Sequence, residues 1–341
     1  KDFDVNQIVN TMLVNIQSQW RIDFSNDNEL RDYLLLHLIP LEVRSRYNVV
    51  LRNPLIDKIK QQNILAYQLA VAACSHLVDY HGNNLSDEEI GYIALHLELA
   101  LLRKKIKDKK NILVMCGVGR GTSSTLAYQI KEMYGKFINE IQTVDYIGIK
   151  SYDFEDVDFL ITSTPIKNKL PIPVIEVNYF LNNNDKKRIL SFLDDQDSFH
   201  MQEVIKRNLI IKNINEETKE GVLSYIIKNT LGNESISKKL IEEDCIGNYE
   251  LENMLAILSC CVDEPKTKII IGILSKPILW NKKKVQLVII PLIGKNIGIK
   301  ILDLYKELSY FADNSNYIKR IIKKQNQEEI IKIFNDIELK I

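Results

Sequence analysis

The chain has 341 residues, 45% of them hydrophobic and 26% charged, which is ordinary for globular protein and allows two or three domains with sizeable cores. Its 45 basic and 45 acidic residues cancel, which argues against a nucleic-acid binder working through bulk charge. No apolar run approaches the roughly 20 residues of a membrane span, and no signal peptide precedes the first helical pattern.

Residues 1–107 carry almost no strand signal and read as an all-α helical bundle, with Pro40 and Pro54 as punctuation. Leu30–Ile39 is a helix that places His37 on a face with Leu30, Tyr33 and Leu34, and Pro40 is expected to end it. Ser86-Asp87-Glu88-Glu89 reads as a capping box, with Glu89 reaching back to Ser86. The helix it opens has Ile90, Ile93, Ala94, Leu97 and Leu101 on one face and Leu95, Leu99 and Leu102 on another, at about 100° per residue. His96 lies between the two faces. A helix apolar on two sides implies a wedge between its own core and a partner subunit. On pattern alone, each of His37, His76, His81, His96 and His200 is first read as a packed core, interface or joint residue.

A basic joint from Arg103 to Lys110 leads into residues 108–198, where strand, loop and helix alternate. Strands are expected at Ile112–Met115, Gln142–Tyr146, Phe159–Ser163 and Val174–Val177, with helices at Thr122–Tyr134 and Asp185–Leu193. This is an α/β unit with a parallel four-stranded sheet covered on both faces. Its first strand runs directly into Cys116-Gly117-Val118-Gly119-Arg120-Gly121-Thr122-Ser123. Three glycines at alternating positions permit a tight loop whose N–H groups turn inward, and the helix start behind it adds partial positive charge. A thiol held there is favoured as thiolate, and the same donors would cradle a phosphoryl group on sulfur. A buried cysteine or a dinucleotide loop are the alternatives, but the glycine spacing fails G-x-G-x-x-G and no Walker lysine is present. Arg120 comes too early for a tyrosine-phosphatase loop. Five cysteines without framework spacing fit a reducing cytoplasm.

Residues 199–341 are mixed in character. Helices are expected at Glu216–Leu231 and Ser237–Glu243, strands at Ile269–Leu274 and Val285–Pro291, and further helices from Ile299–Phe311 through Phe334. This is an α/β domain with a mixed sheet.

Three motifs in order, Leu36-His37-Leu38-Ile39-Pro40-Leu41-Glu42-Val43-Arg44, Asn53-Pro54-Leu55 and Asp87-Glu88-Glu89-Ile90-Gly91-Tyr92-Ile93-Ala94-Leu95-His96, resemble the PTS regulation domain of bacterial antiterminators and activators. The resemblance implies phosphorylation of His37 and His96 by phosphocarriers such as the phosphocarrier protein HPr, with dimer packing tuned by the added charge. Arg44 and Arg103 are candidates to pair with that charge. Residues 111–197, with the Cys116 loop and Asp158-Phe159-Leu160-Ile161-Thr162-Ser163-Thr164-Pro165, resemble an enzyme IIB domain of the sugar phosphotransferase system, with Cys116 at the phosphocysteine position. Residues 200–341, through Lys276-Pro277-Ile278-Leu279-Trp280 and the strand after it, are similar to the mannitol/fructose-type enzyme IIA domain. The phosphohistidine of that family falls here on Ser259, in Ala256-Ile257-Leu258-Ser259, and no histidine follows His200. The resemblance therefore implies a degenerate IIA domain that serves as a protein-binding module.

Domain order resembles PTS-regulated activators of the mannitol-regulator and Mga-like type. It implies a cytoplasmic sensor segment that acts as a homodimer, reaches DNA only through an N-terminal part outside this chain, needs no cofactor or metal, and meets enzyme IIA and IIB components. The alternative is an enzyme, a soluble IIB-type phosphotransferase passing phosphate from Cys116 to a sugar.

Overall fold

The computed structural model describes residues 4–47, 49, 51–75, 77, 82, 85–107, 109–117, 120–166, 169–193, 201–338 and 340. The helical part opens with α1, Val5–Trp20. Asp4 caps it by accepting from the N–H groups of Asn6 and Gln7 at 3.0 and 3.2 Å. Its buried Val9, Met12, Leu13, Ile16 and Trp20 follow the helical period along one stripe. α2 spans Asn28–Arg46 and runs through Pro40, contrary to the expectation that the proline would end it. The proline removes the hydrogen bond to the carbonyl of Leu36, and both residues are exposed, so water can take that carbonyl. α3, Ile56–Gln62, and α4, Ile64–Cys74, follow, and then α5, Asp87–Lys107. Gly91 on α5 lies so close to Ile56 and Asn53 that a Cβ would collide with the Ile56 side chain, which ties the Asn53-Pro54-Leu55 motif to α5.

The central part forms a four-stranded parallel sheet in the order β2-β1-β3-β4, with β1 Lys110–Met115, α6 Arg120–Tyr134, β2 Ile138–Val144, β3 Phe159–Thr162, β4 Val174–Glu176 and α7 Asn183–Leu193. Ile112 and Val114 pack under α6 and α7 with Leu126, Ile130 and Ile189, while Leu113 and Met115 pack on the opposite face with Val144, Ile149 and Leu160. Burial on both faces explains the unbroken apolar run Ile112–Met115. The second face is covered by connecting segments rather than by helices, with Tyr152, Phe154 and Leu170 packed on it.

The last part comprises α8 Met201–Val204, β5 Ile205–Ile214, α9 Lys219–Thr230, α10 Glu234–Ile246, β6 Leu255–Ile257, β7 Cys260–Cys261, β8 Lys268–Leu279, β9 Lys284–Ile293, α11 Ile301–Asp313, α12 Ser315–Lys324 and α13 Gln327–Glu338. Its mixed sheet runs β5-β8-β9-β6, with β7 also on β9; among these strand pairs the β8–β9 hairpin is antiparallel and the others parallel. α9 begins at Lys219 because Thr218 caps it, accepting from the N–H of Gly221 at 3.1 Å. Trp280 donates through Nε1 to the buried Asp244 at 3.2 Å, and Lys219 Nζ meets the same carboxylate at 2.7 Å.

The chain forms two compact units. One contains residues 1–102 together with 199–341, and the other residues 103–198. Three domains were expected, at 1–107, 108–198 and 199–341. In the structure the helical part and the last part share one continuous hydrophobic core. α4 explains this union, since every residue from Ile64 to Cys74 is buried. One side of α4 packs on α1 and the other on α10 and α11. A helix that is apolar all round has to be enclosed all round.

Candidate functional site

His37 on α2 and Glu89 in the first turn of α5 are brought together by helix packing. His37 Nε2 lies 2.9 Å from Glu89 Oε2. Arg44, on α2 like His37, donates through Nε to Glu89 Oε1 and through Nη2 to Glu89 Oε2, both at 2.9 Å. The pair is bidentate and mostly buried, with side-chain exposures of 19% for Arg44, 12% for His37 and 8% for Glu89. Burial works to raise the Glu89 pKa, but the hydrogen bonds from His37 and Arg44 outweigh it and hold the carboxyl below its ordinary value.

Only half of the expected capping box exists. Ser86 Oγ accepts from the Glu89 N–H at 3.3 Å, but the Glu89 carboxylate turns to Arg44 and His37. The spacing S-x-x-E is the same in both cases. The alternative signal was that Glu89 precedes His96 by two helical turns on one face.

His96 stacks on Tyr33, with ring centroids 5.5 Å apart and planes 16° apart. Its ring centroid is 6.0 Å from that of His37. Burial, and then the neighbouring His37, push the His96 pKa below its ordinary value. Arg103 lies on the last turns of α5 at the boundary of the two units, whereas Arg44 is the arginine placed at His37.

The two apolar faces of α5 separate as the periodicity requires. Ile90, Ile93, Ala94 and Leu97 are buried, whereas Leu95, Leu99 and Leu102 are 37%, 40% and 50% exposed. Leu36, Ile39 and Val43 on α2 are exposed as well.

In the second unit, Cys116 ends β1 at the carboxyl edge of the sheet and is 1% exposed. Ser163, just after β3, donates from Oγ to Cys116 Sγ at 2.8 Å. The Ser163 N–H bonds to the Met115 carbonyl at 3.2 Å, which fixes that hydroxyl. A Cβ at Gly117 would collide with the Thr164 side chain, so glycine is required for this close approach. Ser163 and Thr164 thus close the loop from the neighbouring strand. The sequence motif contained them but did not identify this role. Gly121, Thr122 and Ser123 lie in the first turn of α6. Val118 and Gly119 lie outside the described residues, as do the side chain of Arg120 and all of His76, His81 and His200. Ile147 and Phe180, 83% and 79% exposed, follow β2 and β4 at the same carboxyl edge.

Ser259 is 3% exposed, between β6 and β7. Its Oγ lies 2.5 Å from the Tyr305 hydroxyl, which is also 3.0 Å from Gln68 Oε1. Gln68 Nε2 donates to the Ile257 carbonyl at 2.9 Å. Helix α4 of the helical part therefore seals the Ser259 position with a satisfied polar contact. Nearby, Asp87 accepts from Tyr67 Oη at 2.8 Å and from Asn248 Nδ2 at 2.6 Å, a second tie between the two parts of this unit.

Residues 10–100 match the PRD domain, and residues 203–337 match the EIIA 2 domain of the phosphoenolpyruvate-dependent sugar phosphotransferase system. The chain is 27% identical to the "Probable licABCH operon regulator" of Bacillus subtilis strain 168, over 97% of this chain and 53% of that protein. It is 20% identical to the "Transcriptional regulator ManR" of the same organism, over 94% of this chain and 52% of that protein. It thus spans about half the length of these curated relatives. The crystal structure of nitrogen regulatory protein IIA-Ntr from Neisseria meningitidis aligns with 39% of this chain and 98% of its own, at 14% identity and TM-score 0.34.

Proposed function

We propose that this chain, built of a PRD domain, a four-stranded α/β unit and an EIIA 2 domain, is the phosphoryl-sensing part of a sugar-responsive transcription regulator. His37, His96 and Cys116 accept phosphoryl groups from phosphocarriers of the sugar phosphotransferase system, with the phosphocarrier protein HPr and IIA-type components as donors. The observation that carries this reading is the cluster of His37, His96, Arg44 and Glu89 inside the PRD match. It combines two imidazole nucleophiles with a guanidinium that keeps N–H donors for phosphate beyond the two it gives to Glu89.

A phosphoryl group adds about −1.5 to −2 charges. On helices that expose Leu36, Ile39 and Val43 of α2 and Leu95, Leu99 and Leu102 of α5, that charge changes how a second copy packs. DNA is reached through a part of the regulator outside this chain, and the protein works in the cytoplasm. The same relatives favour a regulator over a sugar-phosphorylating IIB enzyme, because both carry regulator names. The exposed Ile147 and Phe180 near Cys116 suit an apolar rim for a IIA-type donor.

The test uses the intact chain with phosphoenolpyruvate, enzyme I and HPr, and maps phosphate by mass spectrometry under conditions that preserve phosphohistidine. Label is expected on His37 and His96, and on Cys116 once a IIA component is added. His37→Ala together with His96→Ala should abolish the HPr-dependent label. A wild-type chain that takes no label on these residues overturns the reading.

A further inference from the structure

We propose that Glu89 is the positioning residue of the His37 site: it holds the proton on Nε2 and leaves Nδ1 as the nitrogen that takes the phosphoryl group. The inference rests on the reading of His37 as a phosphoryl acceptor and adds which atom reacts and what prepares it. Glu89 Oε2 lies 2.9 Å from His37 Nε2. An ionised carboxylate can only accept hydrogen bonds, so at this contact the imidazole must donate. In a neutral ring the other nitrogen, Nδ1, then carries the lone pair.

Two features keep Glu89 in that role. Arg44 occupies both carboxylate oxygens at 2.9 Å, which fixes the charge and the orientation of the group. The main chain at Glu89 is fixed by Ser86 Oγ, and the side chain is only 8% exposed, so the carboxylate cannot swing out to water. His96 lacks this arrangement. It faces the Tyr33 ring, and among the described residues no carboxylate lies within ion-pair distance of it. The two histidines are therefore unequal, with His37 prepared and His96 dependent on its surroundings when a partner docks.

The transfer balances without an added base. The Nδ1 lone pair attacks phosphorus on a carrier phosphohistidine that is protonated on its other ring nitrogen. The P–N bond to the carrier breaks and its electron pair returns to that ring, which leaves as neutral imidazole. His37 becomes an Nδ1-phospho, Nε2–H imidazolium, and its new ring charge lies against the Glu89 carboxylate. No proton crosses between the two proteins, and the Nε2 hydrogen bond strengthens as the charge develops.

The experiment uses the intact 15N-labelled chain, with His37 identified by comparison with His37→Asn. Long-range 1H–15N correlation reports the ring tautomer before reaction. Phosphoramidate, a small donor that needs no docking, and phospho-HPr then report the nitrogen that is phosphorylated and the initial rate. Wild type is expected to show Nε2–H and phosphate on Nδ1. Glu89→Gln, which keeps the shape and loses the charge, should slow His37 labelling by both donors by about ten- to a hundredfold, as loss of an orienting carboxylate behind a histidine does. Glu89→Asp should recover part of that rate, and Cys116 labelling should not change. An Nδ1–H tautomer, phosphate on Nε2, or a folded Glu89→Gln chain labelled on His37 at the wild-type rate would overturn the proposal. Absence of any phosphate on wild-type His37 would instead overturn the acceptor reading beneath it. If Glu89→Gln lowers the unfolding midpoint enough to confound rates, the wild-type tautomer and the phosphorylated atom still decide.

Discussion

Glu89 and Glu307 lie in one compact unit and are almost equally buried, 6% and 4% exposed, yet their carboxyl groups are driven in opposite directions. Burial opposes ionisation at both. At Glu89, hydrogen bonds from His37 and Arg44 overcome it, and the group stays charged. At Glu307 on α11, burial acts unopposed with Glu338 and Asp303 nearby, and the pKa rises to about 8. Its Oε2 has no hydrogen-bond partner among the described residues. The same contrast separates the two chemical positions of the unit. His37 sits in a paired, charged cluster near the surface, whereas Ser259 sits in a neutral net of hydroxyl and amide groups sealed by α4. Partners, and not depth, decide whether a buried group remains available for chemistry.

The largest expected effect comes from breaking the charged side. Arg44→Ala leaves Glu89 buried with only His37, and should cost about 3 kcal/mol in urea unfolding at pH 7, the low end for a broken buried pair. A cost below that of Gln68→Ala, which removes only neutral hydrogen bonds at about 1–3 kcal/mol, would erase the contrast.

Ser259→His sharpens it from the other side. The larger imidazole overfills a closed site and should cost about 1–3 kcal/mol. A histidine placed there is not expected to take phosphate, because α4 covers the position. Stoichiometric phosphate on the new side chain in the intact protein would show that the seal opens.

Next is a pH signature. A carboxyl whose folded pKa is raised holds its proton in the folded state after the unfolded chain has lost it, so stability falls as pH climbs from about 4.5 and levels off above the folded value. Glu307, at about 8, and Glu243, raised by burial to about 7, both contribute with this sign. Glu89 contributes with the opposite sign, its stabilisation being lost as pH falls through its lowered value. Glu307→Gln should therefore gain stability at pH 8.5, by at least about 1 kcal/mol, and almost nothing near pH 4.5. Equal gains at both pH values, measured by urea unfolding, would remove the carboxyl from the account.

The smallest effect on folding belongs to the exposed stripe. Leu99→Ser should change chain stability by no more than about 0.5 kcal/mol, while sedimentation velocity shows a weaker association of copies. An unchanged sedimentation profile over a wide concentration range would separate the stripe from dimer packing.

The central strands of the parallel sheet were legible in Ile112–Met115 and Phe159–Thr162, because strands buried on both faces give unbroken apolar runs. β5 was not, since Ile205–Ile214 interleaves lysine and asparagine and its pairing with β8 slips twice, which destroys a clean alternation. Pro40 misled because an interior proline either kinks or ends a helix, and on this exposed face, where water can take the freed Leu36 carbonyl, α2 continues. At the candidate site, His37, His96 and Arg44 could be named from their motifs. The part played by Glu89 could not, because a capping glutamate and an arginine-paired one share the same spacing.

Local pattern alone determined the helical stretch, the α/β alternation and the glycine-rich run behind Cys116, because each depends on residues adjacent in sequence. Tertiary structure alone decided that residues 1–102 and 199–341 share one core, that Gln68 closes over Ser259, and that Glu89 lies against His37. Each of these contacts joins side chains far apart in sequence. Helical period shows which side of α4 or α5 is apolar, but it carries no information about which distant surface will cover that side.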